Sequence, residues 1–129
     1  MCKILLPVKF ILSILVIITF QSCDLFFSQT EEWDIRWIVE GTASSVNVTI
    51  GVGDTTQQYA SQSVPFEADS EAWGRRWFYY LSAQNNQSAG SVTVRLEYRA
   101  KGDSSWIAYE EATSTGGFTI ATISGSFNP

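Results

Sequence analysis

The sequence predicts an all-β protein: an antiparallel β-sandwich of immunoglobulin-like type, with seven to eight strands, following a cleaved signal peptide. Three observations carry that expectation. Beyond residue 30, apolar and polar residues alternate in short runs, the period of a half-buried strand. Turn-forming clusters interrupt these runs at roughly ten-residue spacing. No segment after residue 23 sustains the 3.6-residue period of an amphipathic helix. Short alternating strands with regular punctuation are the sequence pattern of a sandwich.

The strands follow in order. Trp33 to Glu40 places Trp33, Ile35, Trp37 and Val39 on one face, and Ser45 to Ile50 points Val46, Val48 and Ile50 inward. Gly51-Val52-Gly53-Asp54 is a turn, and the polar run Thr55 to Ser61 reads as a return strand of the edge type. Val64-Pro65-Phe66 is a short piece that the proline holds at an edge or outside the sheet. Arg75 to Ala83 is a strand with large residues on both faces, followed by the loop "QNNQSAG". Ser91 to Arg99 has the clearest alternation, Val92, Val94, Leu96 and Tyr98 against Thr93, Arg95, Glu97 and Arg99. "AKGD" turns the chain, Trp106 to Ala112 returns it, "TSTGG" turns it again, and Phe118 to Ser124 closes the domain.

The amino terminus is of another kind. Lys3 and Lys9 precede an apolar or near-apolar run of eleven residues, Phe10 to Phe20, and Ser22 stands before Cys23. The run suits the hydrophobic region of a signal peptide and is short of the roughly 20 residues that span a bilayer. A small residue before a cysteine resembles the bacterial lipoprotein signal, in which the thiol is acylated and the leader removed. Cys23 is then the lipid attachment site, residues 1–22 the signal peptide, residues 23–30 a lipidated tether and residues 31–129 the sandwich. The tether reaches about 25–30 Å when extended. An uncleaved signal anchor and an intermolecular disulfide are the other readings of this segment; an intramolecular bridge has only Cys2, in the leader, to pair with.

Removing residues 1–22 leaves 107 residues, one domain with enough chain for an ordinary core. That part holds six basic against thirteen acidic residues, a net charge of −7. An acidic domain repels nucleic acid at long range, so no nucleic-acid partner is expected. With no histidine and no thiol but Cys23, most nucleophilic and metal-assisted mechanisms lack their parts. The pair Glu110–Glu111 alternates faces along a strand and reads as solvated charge. No enzyme activity, metal or cofactor is expected.

Four stretches in order, "VEGTASSVNVTI" (Val39 to Ile50), "TTQQYASQSVPF" (Thr55 to Phe66), "FYYLSAQNNQSAGSVTVRL" (Phe78 to Leu96) and "EEATSTGGFTIATISG" (Glu110 to Gly125), resemble the mycobacterial membrane protein small (MmpS) family and its lipoprotein relatives. The resemblance implies a small β-sandwich on the outer side of the cytoplasmic membrane, accessory to large export transporters. It also sets Val94 and Ile123 where that family carries a late pair of cysteines. A lipid on Cys23 would replace the family's uncleaved helix. The expected function is that of a membrane-anchored, non-catalytic accessory or interaction lipoprotein of the bacterial cell envelope, bound to the membrane through its lipid and to an envelope partner such as an export transporter. The alternative is a surface module for glycan or another small ligand, using exposed aromatics near Trp73, Trp77 and Tyr80. Trp77 and Tyr79 share one strand face and Phe78 and Tyr80 the other. Exposure of one pair favours ligand or partner binding; burial of both favours a plain scaffold.

Overall fold

The computed structural model describes residues 31–129; the expected leader 1–22, the tether 23–30 and Cys23 lie outside the described residues. Eight strands follow one another: β1 Glu32–Gly41, β2 Val46–Val52, β3 Thr55–Gln62, β4 Phe66–Trp73, β5 Trp77–Asn85, β6 Ser91–Ala100, β7 Ile107–Thr115 and β8 Ile120–Phe127. All pair antiparallel, in two sheets of four with the orders β4-β1-β6-β7 and β3-β2-β5-β8. The expected β-sandwich is therefore the fold. Among the described residues no helix is long and apolar enough to cross a membrane.

The alternating runs become the central strands because only there are both edges paired and one face covered. In β1, Ile35, Trp37 and Val39 are fully buried, and in β6 so are Val92, Val94 and Leu96. The register sets Trp37 between Ala68 and Leu96, and Val39 between Phe66 and Val94. In the other sheet Val48 stands between Tyr59 and Ala83, and Ile50 between Gln57 and Leu81. Each fully buried Val, Leu or Ile contributes about 1.5–3 kcal/mol of transfer free energy, so the slab between β1/β6 and β2/β5 dominates the stability. Val94 and Ile123 belong to this slab, on opposite sheets.

β3 is an edge strand, as its polar composition suggests. β4 is the departure. Pro65 sits in the connection, and Phe66 opens a full eight-residue edge strand. Its inward positions are Phe66, Ala68, Ser70 and Ala72, its outward ones Glu67, Asp69, Glu71 and Trp73. Ala, Glu and Asp are poor strand formers by propensity, and pairing with β1 overrides that preference. The remaining differences are in boundaries. Arg75 and Arg76 stay in the β4–β5 turn, Thr113 to Thr115 continue β7, and β8 runs on to a fully buried Phe127.

One polar group is as fully buried as the core. Asn85, at the end of β5, donates from Nδ2 to the carbonyls of Ala89 (3.0 Å) and Gly116 (3.1 Å), and its Oδ1 accepts from the Gln87 amide (2.8 Å). The 85–90 loop is thereby tied to the β7–β8 turn. The two segments touch so closely that a Cβ on Gly117 would meet the Ser88 carbonyl at 2.3 Å. Asn85→Ala would leave the Gln87 amide and the Ala89 carbonyl without their side-chain partner, while the Gly116 carbonyl keeps the Thr119 hydroxyl at 2.9 Å, and an unmade hydrogen bond in such a part-buried site costs about 1–3 kcal/mol. We expect a loss of about 2–4 kcal/mol, read as a fall in the denaturant midpoint with little change in slope.

Candidate functional site

The two outer faces of the sandwich are chemically unlike. On β4-β1-β6-β7 the outward positions are mostly charged and bonded across strands. Arg95 contacts Glu97 (3.0 Å), Glu111 (3.2 Å) and Glu40 (3.3 Å), and Arg99 contacts Asp34 (3.0 Å). Arg36 and Arg99 both lie over the Trp106 ring, 4.0 and 4.3 Å from its centroid. Partial burial works against the charge of Arg95, yet hydrogen bonds to Glu111, Glu40 and Glu97 outweigh it and raise the guanidinium pKa above its ordinary value. The Lys101 ammonium is likewise raised, first by its hydrogen bond to Glu71. Ile38 projects to this side and is nonetheless buried, because its register neighbours Arg95 and Glu67 bring long side chains over it.

The outer face of β3-β2-β5-β8 carries no charge at all. Its cross-strand rows read Thr56, Gly51, Tyr80, Ser124; then Gln58, Thr49, Ser82, Thr122; then Asn47, Gln84, Ile120. Phe78 stands beside Ser126 at one end of this face, 71% exposed, and Tyr80 is 41% exposed. Phe118, exposed and held with a left-handed backbone (φ 57°), precedes Ile120 at the other. Of the two pairs on β5, Phe78 and Tyr80 are thus outside, while Trp77 and Tyr79 turn inward.

The three aromatics singled out in the sequence do not converge. Tyr80 belongs to the uncharged face. Trp73 and Trp77 line a cleft of about 390 Å³ between the two sheets, with Ile50, Val52 and Ala72 as its apolar wall and Asp54 and Glu71 as its acidic members. The cleft exists because β3 and β4 close only at one end, where the Tyr59 and Phe66 rings meet at 5.2 Å, and because Ser70 and Ala72 are too small to fill the other. Trp77 stacks on Phe127 at 4.3 Å, and its Nε1–H is buried without a partner among the described residues. No basic side chain lines this cleft, which suits it to neutral or cationic groups.

Glu110 is half-buried rather than a fully solvated charge: it turns toward the second sheet and accepts a hydrogen bond from the Tyr79 hydroxyl, while Glu111 points outward to Arg95. Alternation did separate the two carboxylates; the partner across the layers is a tertiary matter. Neither a protein-family model nor a curated protein sequence matches the chain.

Burial and the bond to Glu110 both raise the Tyr79 phenol above its ordinary value. A phenol that holds its proton more tightly when folded contributes fully below the unfolded value of about 10, and that contribution is lost as pH rises from there. Stability is expected to hold from neutrality to about pH 9 and to fall above about pH 10, with Lys101 adding to the decline in the same sense. Tyr79→Phe should cost about 1–3 kcal/mol at pH 7 and flatten part of the alkaline fall, measured by denaturant titration across pH.

Proposed function

We propose that the protein is an exported lipoprotein, anchored through Cys23, that acts without catalysis as an accessory or interaction module of the bacterial cell envelope. Its contact surface is the uncharged outer face of β3-β2-β5-β8. The observation that carries this reading is the segregation of charge between the two faces. In a domain this acidic, a whole sheet face holding only hydroxyl, amide and apolar groups, with Tyr80 and Ile120 exposed, costs nothing in charge desolvation when a partner covers it. The opposite face would have to surrender its hydration of many charges.

The lipoprotein signal in the sequence supports the anchor, and the MmpS resemblance supports an envelope partner such as an export transporter. The burial of Val94 and Ile123 on facing sheets agrees with positions that another member of such a family bridges.

Two outcomes test the proposal. Cys23→Ser should abolish labelling by an alkyne fatty acid and leave the leader uncleaved; equal labelling of both proteins removes the anchor. A photo-reactive residue placed at Tyr80 or Thr122 should give a discrete adduct in intact cells, and one placed at Asp69 or Glu97 should not. Adducts of equal yield from both faces would sink the assignment of the contact surface.

A further inference from the structure

The β4–β5 turn carries the sequence Trp73-Gly74-Arg75-Arg76-Trp77-Phe78. It differs from the rest of this acidic domain. Two of the six basic residues outside the leader stand side by side at its tip, and both are exposed. Trp73, 56% exposed, flanks them on the sheet of β4, and Phe78 flanks them on the sheet of β5. Each of the two layers therefore presents a large ring beside the same cationic tip.

The turn is also held in place. Gly74, with φ 87°, donates its amide to the Glu31 carbonyl at 2.8 Å and accepts from Trp33 Nε1 at 2.9 Å. Arg75 pairs with Glu31 at 2.9 Å. Among the described residues Arg76 has no carboxylate within ion-pair distance. The residue that fixes the turn is thus the one through which the chain enters the domain. Eight residues, Cys23 to Thr30, separate that point from the sulfur expected to carry lipid, a reach of about 25–30 Å at full extension.

We propose that this turn is a membrane-contact loop: Trp73 and Phe78 insert into the interface of the bilayer to which Cys23 is anchored, and Arg75 and Arg76 sit at its lipid phosphates. Indole and phenyl rings are favoured at the level of the headgroups, and each arginine near an anionic surface adds attraction that falls off within a Debye length. Acyl chains alone fix only the distance of the domain from the membrane; the loop fixes its orientation, with the strands standing toward the bilayer. Phe118, in the β7–β8 turn, and Ile120, the first residue of β8, then face away from the lipid. The proposal rests on the lipid anchor and adds to it a defined orientation.

The test uses the full lipidated chain on vesicles of phosphatidylcholine and phosphatidylglycerol at 3:1. With Cys23 acylated and the leader removed, Phe78→Cys and Phe118→Cys each offer a single site for a nitroxide label. Flotation of the vesicles first establishes that the chain is bound; failure of wild type to float rejects the anchor rather than the loop. With the chain bound, the label at position 78 should gain oxygen accessibility over aqueous nickel-chelate accessibility, and the label at 118 should remain aqueous. Arg75→Gln with Arg76→Gln should lower the immersion of the label at 78 while flotation is retained. A bound chain in which both labels are equally aqueous, or in which the double arginine change leaves immersion unaltered, overturns the proposal.

Discussion

The packing at the end of the sandwich that carries the β4–β5 turn depends on one ring. Phe127, the last residue of β8, is fully buried and contacts four aromatics from both sheets: Trp33 at 5.6 Å, Trp77 at 4.3 Å, Tyr98 at 5.0 Å and Tyr109 at 4.9 Å. Aromatic pairs in such geometries add about 0.5–1.5 kcal/mol each beyond their burial. Trp33 and Trp77 are also the residues that bracket the β4–β5 turn, one by its hydrogen bond to Gly74 and the other by adjoining Arg76. Through Trp77 the cluster also forms part of the wall of the cleft that Trp73 lines. The hydroxyl of Tyr109, another member, donates to the Ser126 carbonyl and accepts from the Asn128 amide, so it also covers the end of the β8 edge.

The contrast between the two faces contributes little to stability. Exposed ion pairs contribute about 0–1 kcal/mol each, and most of those on β4-β1-β6-β7 are at least partly solvated. Their layer serves otherwise, by covering Ile38 and keeping that face hydrated. The acidic outward side of β4 discourages pairing with another strand, and β3 is bent by a register shift near Val46 and by Ser61 with φ 54°. The outer face of β3-β2-β5-β8 has no charged strand position.

The alternating runs of β1, β2 and β6 showed in advance which residues would be inside, because a strand has only two faces and one of them was apolar. The edge character of β3, the acidic balance and the lipoprotein-like context of Cys23 were equally legible, the last as an expectation that rests on residues 1–30 alone. Short-range pattern fell silent where both faces carry large residues, as in β5, and where composition opposed the outcome, as in β4. Tertiary structure decided that Trp77 and Tyr79 face inward and leave Phe78 and Tyr80 outside, and that Glu110 meets Tyr79. It also parted Tyr80 from Trp73 and Trp77 and brought Glu31 against the β4–β5 turn. The reason is physical: periodicity reports which residues share a face, whereas the inside is defined only when a second layer, distant in sequence, covers one of them.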